Sequence, residues 1–500
     1  MGYVPTSNDL QLILQRQKST YIKLEILNQS FERLRTITGD TISSSFNIDM
    51  NSAITRTCSL SIIVKSDDLI VGNPNSKIWI NTFVRVFCGI KNETTNKMNW
   101  YSQGIYAIST FDYTVSAETK QLDINCTDLV SYLDGSRRGQ YVGKSPYIEK
   151  GKNIAGTIKT LVSEIGGFTK FNIMDIGNYN ADEDTGELYW ANTVPYTLNF
   201  ASTDTVWTMV DKLITLYPYW RAYFDIDGVF TVDKITDVED SSSFYSADFM
   251  DKILIDEKLA NDFTQVHNKT AVWGKDETTY GEYADTNENS RFNVAGYGEF
   301  LNVLSKEQLI TNEECKDWAE YENLKTCKLQ NNIVLQLCNV PFMDVNQKFQ
   351  YKSKIGNQLG QYVIQKISRD SSGQTMTVDA YQVFGDSTGA FAEQLDTPTI
   401  TGTNNGLVLN LNITKVENAK YYKVFKNYVY LGLSNTTTYT FNFSELQEGT
   451  YSFNVMAFAD GYKNSDMSNS VSIEIAENCI ITSDGDKLIT SDDDRFIYKD

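Results

Sequence analysis

The stretch YPYWRAYFDIDGVFTVDK, residues 217–234, lies near the middle of a 500-residue chain, directly after a segment with helical periodicity. Aromatic and aliphatic residues flank Asp227-Gly228, a pair that favours the turn of a β-hairpin. The stretch therefore predicts two strands that extend from Trp220 to Val232. This hairpin marks the point at which the chain passes from a mixed α+β segment to a second β-rich one.

The letters DIDG at Asp225–Gly228 are also the way in which a calcium-binding loop begins. Such a loop needs an oxygen ligand at its fifth position, glycine at its sixth and a bidentate glutamate at its twelfth. Counted from Asp225, these positions hold Val229, Phe230 and Thr236. None of the three fits, so we interpret the stretch as a hairpin that binds no metal.

The composition is that of a well-packed globular protein with several domains and much β structure. Hydrophobic residues make up 41% of the chain and aromatic residues 12%, with 30 Tyr and 25 Phe against 7 Pro. Aromatic side chains suit the half-buried surface of a sheet, and 500 residues exceed what one hydrophobic core organises.

The chain is strongly acidic, with a formal net charge of −20 at pH 7. Such a surface repels phosphate backbones, so we expect no stable binding of nucleic acid. The same charge is compatible with DNA that slides past the protein without being held.

Most of the seven cysteines are predicted to be buried thiols. They form no CxxC motif, and Cys58 and Cys126 fall in phase with apolar strand residues, as expected for a protein made in a reducing cytoplasm. The N-terminal residues lack the basic region and apolar run of a signal peptide, and no 18-residue apolar segment predicts a membrane span. The cysteines are Cys58, Cys88, Cys126, Cys315, Cys327, Cys338 and Cys479.

Residues 1–135 have the period-2 alternation of antiparallel strands and predict an N-terminal β-barrel. Ile22, Leu24 and Ile26 alternate with Lys23 and Glu25. Four further alternating runs cover residues 58–64, 80–88, 100–108 and 122–126.

Residues 136–250 predict an inserted α+β domain. Apolar residues from Ile154 to Ile165 lie on one helix face, which Gly166-Gly167 terminates. A second helix begins near Asp204, with Thr203 or Asp204 as its cap, and ends before Pro218. The hairpin at 217–234 completes this domain.

Residues 251–385 return to a β-rich pattern and predict a second antiparallel barrel that contains one helix. The strand VHNKTAVWG, residues 266–274, opens it, and the helix begins near Thr311. Cys315, Trp318, Ala319 and Leu324 lie on that helix. Further strands cover residues 333–337, 362–367 and 375–383.

The last part of the chain divides into a linker at 386–397, a β-sandwich at 398–476 and a short Asp-rich tail at 477–500. The sandwich is indicated by short alternating strands at regular spacing. The tail contains ITSDGDKL followed by ITSDDDRF, which we interpret as a hairpin or β-repeat. The fold class is thus mainly β: two antiparallel barrels, an inserted α+β domain and a C-terminal sandwich.

No stretch has the pattern of an active site. The one histidine, His267, lies in a strand-like run without a GxSxG elbow or an HExxH helix, which indicates a structural residue. Asp182, Glu183 and Asp184 could supply paired carboxylates for glycosidase chemistry, but adjacent acids in a loop seldom face one sugar, and a solvated hairpin tip is favoured. Turns are favoured over cation sites for the tail acids Asp484, Asp486 and Asp492–Asp494. We therefore predict no catalytic, cofactor-binding or metal residue, no cofactor, and no enzyme activity.

Residues 398–476 resemble a fibronectin type III domain. Tyr451 fits the tyrosine corner of that domain, and Ser465 and Ser468 fit its closing segment. The lack of a paired cysteine framework favours this domain over an immunoglobulin domain. The resemblance is carried by Pro398, Ala419–Lys426, Thr438-Tyr439 and Gly449–Ala457.

Residues 20–385 resemble the tail-hub, or baseplate-hub, proteins of bacteriophages, in which a barrel, a helix-containing insert ending in a hairpin, and a second barrel follow one another. In that family an N-x-x-x-V-x-G run opens the second barrel, as Asn268 to Gly274 does here. The closing segment of the family is matched by Gly360–Val363, Ile367-Ser368 and Met376–Val378, with Ile364 in place of a valine.

This resemblance implies a homotrimer in the virion, assembled in the host cytoplasm. Two tail-tube-like barrels per chain would give three copies a pseudo-sixfold ring. The ring would join the hexameric tail tube, or a distal tail protein ring, to a threefold spike, fibre or tape-measure end. It would enclose the DNA channel without specific binding, with the fibronectin-like domain as a spacer or a weak host-glycan contact.

Two other classes of protein remain as alternatives. A cell-surface glycan-binding or adhesion protein would use the fibronectin-like domain and the Asp-rich tail, but it predicts a secretion signal. A tail-associated lysin would need a further large domain with an acid pair or a Cys/His site. Only a sandwich and a short tail follow residue 385.

Overall fold

The structure is a computed structural model. It describes residues 3, 5–15, 19–39, 41–141, 143, 145–181, 188–235, 244–260, 263–286, 292–327, 332–355, 359–369, 374–383, 395–405, 408–419, 421–427, 429–442, 449–458, 465–475, 479–481, 487–490 and 496–497.

The described chain is mainly β. Its N-terminal elements are α1 (Ser7–Ile13), β1 (Thr20–Leu27), β2 (Arg33–Thr38), β3 (Thr41–Asp49), β4 (Arg56–Ile63), β5 (Phe83–Asn92), β6 (Lys97–Val115) and β7 (Lys120–Thr127). The next are β8 (Tyr147–Ile148), α2 (Ile154–Leu161), β9 (Phe171–Ile173), β10 (Asn178–Ala181), β11 (Leu188–Ala191), β12 (Leu198–Asn199), α3 (Val206–Ile214), β13 (Trp220–Phe224), β14 (Phe230–Lys234) and α4 (Ala247–Ile253).

The third group comprises β15 (Leu254–Ala260), β16 (Lys269–Trp273), β17 (Tyr280–Ala284), α5 (Val294–Tyr297), β18 (Leu301–Ser305), α6 (Asn312–Thr326), β19 (Asn332–Cys338), β20 (Lys348–Lys352), β21 (Leu359–Arg369) and β22 (Thr375–Val383). The C-terminal strands are β23 (Ile400–Asn405), β24 (Val408–Ile413), β25 (Tyr421–Lys426), β26 (Val429–Ser434), β27 (Thr438–Asn442), β28 (Gly449–Phe458), β29 (Val471–Ile475), β30 (Cys479–Ile481), β31 (Lys487–Thr490) and β32 (Phe496–Ile497).

Most strands of the two predicted barrels join in one sheet. Among the described residues it has twelve strands in the order β15-β19-β22-β21-β3-β4-β7-β6-β5-β1-β2, with β20 paired to β21 beside this path. The prediction of two antiparallel barrels is not confirmed: β21 pairs with β3, through Ile367 opposite Ile48 and Arg369 opposite Phe46. Period-2 alternation shows which face a residue takes but not which strand lies beside it, so this junction was hidden in the sequence.

Each half of the twelve-stranded sheet covers its own hydrophobic core. The N-terminal strands bury Leu24, Leu60 and Leu122 in one cluster. The later strands bury residues such as Leu335 and Phe349 in another, which α1 and α4 help to cover. Two cores along one sheet explain why the sequence looks like two β domains in succession.

The first insert, between β7 and β15, contains the two predicted helices and the predicted hairpin. Its three-stranded sheet has the order β13-β14-β9, with β9 parallel to β14. The cap of α3 is Thr205, whose hydroxyl accepts from the amide of Thr208 (3.2 Å), and not Thr203 or Asp204. Asp204 instead accepts a bond from the amide of Ala201.

A second insert lies between β15 and β19 and was not anticipated. Its sheet β17-β16-β18 is separate from the twelve-stranded one, and α6 packs on it. Consequently β16, expected to open the second barrel, belongs to this insert, and β15 enters the large sheet in its place. The sequence of β15, LIDEKLA, hides its role because an edge strand carries charged residues on both faces.

The helix predicted near Thr311 is confirmed as α6. Thr311 and Glu314 form a capping box: the Thr311 hydroxyl accepts from the Glu314 amide (3.2 Å), and the Glu314 carboxylate accepts from the Thr311 amide (3.0 Å). Each of these two hydrogen bonds pairs a backbone amide that the first helical turn would otherwise leave without an acceptor.

The chain divides into two compact units: Met1–Ile235 with Ser243–Val383, and Phe384–Asp500 with Thr236–Ser242. The second unit contains sheets β23-β24-β27 and β26-β25-β28-β29 around one core, and the short sheet β30-β31-β32. Tyr451 lies near the start of β28, while the hydroxyl of Tyr422 accepts a bond from the upstream amide of Val416 (2.9 Å).

None of the helices in the described ranges has the length and apolar character that a membrane crossing requires.

Candidate functional site

The most extensive functional candidate is the solvent-facing side of the twelve-stranded sheet, here called the polar face. Along β4, residues alternate between the buried core side and this side. The polar face carries short uncharged side chains on neighbouring strands, all exposed or half-exposed. They include Ser43, Ser45, Asn47, Thr57, Ser59, Ser61, Gln121, Asn125, Thr127, Ser368, Thr375 and Thr377.

Side chains on the polar face bond to one another across the strands. The hydroxyl of Ser59 donates to Asn125 Oδ1 (2.8 Å), and Asn125 Nδ2 donates to Thr110 Oγ1 (3.1 Å), which links β4, β7 and β6. On the neighbouring strands, the hydroxyl of Ser368 donates to Asn47 Oδ1 (2.7 Å). These lateral bonds connect short uncharged side chains of neighbouring strands.

The charges on the polar face are predominantly negative or neutralised. Lys366 lies opposite Asp49 and Asp379 in the strand register, 3.8 Å from the Asp49 carboxylate. Asp112 and Asp123 lie opposite each other on β6 and β7. Strand β3 contains no Lys or Arg. Strands β3, β4, β7 and β21 therefore present no row of cations and have little attraction for phosphate groups, whereas Lys23, Arg33 and Arg85 surround Glu25 farther along the sheet.

A buried ionic cluster lies behind the junction of the two sheet halves. Arg56 Nη2 donates to both oxygens of Asp344 (2.6 and 2.8 Å), and the backbone amide of Arg56 donates to Asp128 Oδ2 (3.1 Å). Arg369, on β21, donates to the carbonyls of Met343 (2.7 Å) and Val340 (3.3 Å). The cluster therefore ties the segment from 340 to 344 to β4 and β21.

Electrostatics of the cluster favour the charged pair. Burial alone would raise the pKa of Asp344, but the Arg56 guanidinium outweighs it and lowers that pKa. The carboxylate likewise raises the pKa of Arg56 against the effect of burial. Burial raises the pKa of Asp128 to about 6 because it has only partial compensation from backbone amides and Arg56. A closed ion pair without solvent access provides rigidity and no exposed acid–base group.

The hairpin predicted from residues 217–234 is confirmed as β13 and β14. Its loop spans the five residues 225–229, not a two-residue Asp-Gly turn: Asp225 Oδ1 accepts from the amides of Asp227 and Val229 (both 2.9 Å). Gly228 has φ +73° and lies where a Cβ would come within 3.0 Å of Phe31. The loop therefore packs closely against residues of the large sheet and the β1–β2 connection, and so positions the hairpin there.

Across the same hairpin, Asp233 binds two partners. Arg221 Nε donates to Asp233 Oδ1 (2.7 Å), and the hydroxyl of Tyr223 donates to Asp233 Oδ2 (2.8 Å). Burial raises the pKa of Tyr223, with a further contribution from the Asp233 carboxylate. The described residues contain no group of three or more His, Cys, Asp or Glu side chains that could hold a metal ion.

Of the other candidates from the sequence, those within the described ranges lie in or next to different sheets. His267 precedes β16, and its backbone amide donates to the carbonyl of Thr326 (3.1 Å). Cys58 and Cys126 are buried free thiols on paired positions of β4 and β7, and burial raises the pKa of Cys58. The acids at 182–184, 484, 486 and 492–494 lie outside the described residues.

Two features escaped the sequence analysis. The first is the Arg56–Asp344 pair, although its signal was available: Arg56 has the same strand parity as Cys58 and Leu60, which places a charge on the buried side. The second is Asn268, whose buried side chain donates to the carbonyls of Phe292 and Gly298 (both 2.8 Å) and accepts from the amide of Phe300 (2.7 Å). The sequence analysis named Asn268 only as the first residue of the N-x-x-x-V-x-G run, and that run does not indicate which backbone groups the side chain binds.

Comparison with known proteins gives one match to a sequence family and several to solved folds. Residues 289–385 match a family described as a domain of unknown function (DUF5048). No curated protein matched the chain in sequence.

Several of the solved structures that the chain resembles are phage tail proteins. The 43 kDa tail protein of prophage MuSo2 from Shewanella oneidensis is 11% identical, with 72% of this chain and 98% of that one covered and a TM-score of 0.48. A tail protein from Neisseria meningitidis MC58 is 8% identical, with 73% and 97% covered and a TM-score of 0.49.

A third similar structure is the half-lidded PdpA–VgrG complex of Francisella. It is 12% identical, with 98% of this chain and 77% of that one covered and a TM-score of 0.43. At TM-scores below 0.5 these are broad likenesses, and they assign no role to any residue of this chain.

Proposed function

We propose that this chain is a non-catalytic structural protein of a phage tail: a homotrimeric hub at the distal end that joins the hexameric tube to a threefold tip and surrounds the DNA channel. The observation that carries this proposal is the polar face, a broad sheet surface of short hydroxyl and amide side chains. The order of parts along residues 20–385, which resembles that of tail hubs, adds to it.

A channel wall must let DNA pass without holding it. Each Lys or Arg that contacts a phosphate releases counterions and adds affinity, so rows of cations would retard the polymer. The polar face supplies hydroxyls bonded to neighbouring amides, and its Lys366 is neutralised by Asp49. These properties support its assignment to the channel lumen.

The ends of the large sheet support assembly into a ring. In the described chain, β2 and β15 end the strand order and have no strand on their outer sides. Exposed edges invite pairing with other chains, and a repeated head-to-tail contact closes a ring. Two hydrophobic cores per chain give three copies six core-bearing halves, a number that matches a sixfold tube.

For residues 398–476 we propose a fibronectin type III domain that acts as a spacer or as a weak contact for host glycans. Its support is the sheet order β23-β24-β27 and β26-β25-β28-β29 around one core. The trimer's other partners in this proposal are the tube or a distal tail ring on one side and a spike, fibre or tape-measure end on the other.

The test is to place cations on the polar face of virions. Ser59→Arg with Asn125→Arg adds two positive charges on paired positions of β4 and β7. Thr401→Arg with Asn412→Arg is the matched control, because these exposed residues are also paired across two strands but lie in the second unit. We expect slower DNA ejection, by about tenfold or more, only for the first pair.

Labelling of isolated tails with an antibody against the chain completes the test. We expect label at the distal tail end with three copies per tail. Equal ejection rates for the two variant pairs would remove the assignment of the polar face to the lumen. Label on the host cell surface but on no tail would refute the proposal and favour an adhesion protein.

A further inference from the structure

The second insert has one covered and one open sheet face. On the covered face, Val272 of β16 packs with Cys315 and Trp318 of α6. On the opposite face, the rings of Trp273 and Tyr280 contact each other with their centroids 4.5 Å apart. A two-layer unit that leaves large apolar side chains on its outer face is typical of a protein interface.

The apolar part of this open face continues on its edge strand, β18. Leu301 and Val303 are 48% and 56% exposed, and the strand register places them beside Lys269 and Ala271. The Asn268 side chain fixes the chain entering β18 through its bond to the Phe300 amide (2.7 Å). The surface is thus held in place before any partner binds, which lowers the entropic cost of association.

Acidic groups border the same face. Lys269 Nζ lies 3.5 Å from Glu282 and 3.2 Å from Glu299, so two carboxylates share one cation and leave a net charge of −1. A hydrogen bond from the Tyr280 hydroxyl lowers the pKa of Glu282. We call this surface the acidic-rimmed face: Lys269, Trp273, Glu282, Glu299, Leu301 and Val303.

Elsewhere in the same unit, a rigid turn exposes two apolar residues. Trp79 and Ile80 are 58% and 76% exposed. The hydroxyl of Thr82 donates to the Trp79 carbonyl (2.8 Å) and accepts from its amide (2.9 Å), and the hydroxyl of Tyr132 donates to the Ile80 carbonyl (3.2 Å). Residues 76–82 are called the Trp79 turn.

Basic groups accompany this turn. Arg137 Nη1 lies 3.4 Å from the Ile80 carbonyl, which places a guanidinium beside the exposed apolar residues. Lys77 and Arg138 add positive charge nearby in the chain, against Asp134 and Asp67; Asp68, whose carbonyl accepts from the Lys77 amide (2.7 Å), is paired with Arg35. Tryptophan and arginine are the residue types that most often anchor protein interfaces.

We propose that the Trp79 turn of one copy docks on the acidic-rimmed face of the next copy in the trimer. The proposal rests on the proposed function, which supplies the ring of three copies. The two surfaces combine apolar centres with opposite charges, whereas either surface against itself would bring like charges together. Two different patches in contact make a head-to-tail interface, the kind that closes a ring.

Charge reversal provides the test, with the full-length chain in sedimentation velocity runs at pH 7 and low salt. Arg137→Glu and Glu299→Arg each create a like-charge contact and should raise the dissociation constant of the trimer at least about tenfold. The double variant restores opposite charges with exchanged signs and should regain most of the affinity. Lys97→Glu, an exposed charge elsewhere, should leave the mass unchanged.

A second pair of variants keeps the test independent of the role of Arg137 in its own loop. Trp79→Ala should weaken the trimer, whereas Tyr147→Ala, which removes a side chain 62% exposed on β8, should not. Near-native tryptophan fluorescence confirms that each chain is folded. The same variants are also tested for incorporation into tails, where we expect Trp79→Ala to be incorporated less than Tyr147→Ala.

The outcomes separate the two proposals. A trimer of about 170 kDa, three times the 56.7 kDa chain, that neither reversal weakens would overturn this contact while the hub stands. A wild-type chain that is monomeric in solution and absent from tails would overturn the hub and this contact with it. Loss of trimer affinity in each single reversal, with recovery of that affinity in the double variant, would establish the contact.

Discussion

The Arg56–Asp344 pair makes a quantitative prediction. Asp344→Ala would leave the Arg56 guanidinium, whose side chain is 3% exposed, without the carboxylate that now receives two bonds from it. Removing one partner of a buried pair costs about 3–5 kcal/mol of unfolding free energy, because the remaining charge loses its compensation without regaining water. We expect a loss in this range.

Two variants calibrate that magnitude. Asp248→Ala breaks the exposed Lys252–Asp248 pair on α4, whose side chains are 52% and 77% exposed, and should cost less than about 1 kcal/mol. Arg56→Met combined with Asp344→Leu removes both buried charges and replaces them by apolar groups. It should cost less than Asp344→Ala alone, because no unpaired charge remains in the core.

The assay is urea unfolding at pH 7 followed by tryptophan fluorescence. The 7 tryptophans of the chain all lie before residue 384, so the signal reports the unit that contains the pair and not the C-terminal sandwich. They are Trp79, Trp100, Trp190, Trp207, Trp220, Trp273 and Trp318.

The pH dependence gives a second readout. The pKa of Asp344 is lowered, so the stability that the pair contributes is present above the usual carboxylate pKa of about 3.9 and is lost only as pH falls through the lower folded value. The difference between wild type and Asp344→Ala should persist from pH 7 to 5 and narrow below pH 4. A loss no larger than that of Asp248→Ala at pH 7 would refute the reasoning.

Three further predictions concern single residues. Gly228→Ala should lower the unfolding free energy by about 2–3 kcal/mol, because φ is +73° and Phe31 lies 3.0 Å from the added Cβ. The control Gly39→Ala has φ +80° but no atom within 4 Å, so it should cost only about 1 kcal/mol, and equal losses in urea unfolding would contradict the packing argument. Asn268→Ala should speed hydrogen exchange of the Phe300 amide at least about tenfold, and unchanged exchange would show that the clamp is dispensable. Burial raises the pKa of Asp128 to about 6, so the stability that its protonated form contributes is full below pH 3.8 and is lost as pH rises through 6. Asp128→Asn should remove this pH-dependent loss of up to about 3 kcal/mol, and urea midpoints of the variant that still fall with pH as in wild type would contradict the prediction.

Local elements were predictable because their signals are local. The alternation in residues 58–64 follows from the pleat of β4, and the capping box of Thr311 and Glu314 follows from the amides that the first turn of α6 leaves unpaired. The hairpin at Trp220–Lys234 was also predictable, since aromatic runs flank a turn with a glycine at positive φ. The length of its loop was not predictable, because it depends on which backbone amides lie within reach of the Asp225 carboxylate in the folded loop.

The candidate site was much less predictable than these elements. The residues of the polar face are ordinary outward positions in the sequence, and they become a surface only when β21 pairs with β3 and joins the two halves. Arg56 and Asp344 are separated by 288 positions. No local pattern connects them, although the parity of Arg56 indicated that a charge would be buried.

By itself, the sequence determined that this is a mainly β, acidic chain that contains α2, α3, the central hairpin and α6 in that order, with a β-rich C-terminal part; it did not indicate α1, α4 or α5. Only the tertiary structure decided that the strands around residues 20–130 and 332–383 share one sheet, and that residues 263–327 leave it as a second insert. The physical reason is that hydrophobic periodicity encodes which side of a strand is buried. Pairing between distant strands depends instead on the packing of two cores and on a buried ion pair whose partners are far apart in the sequence.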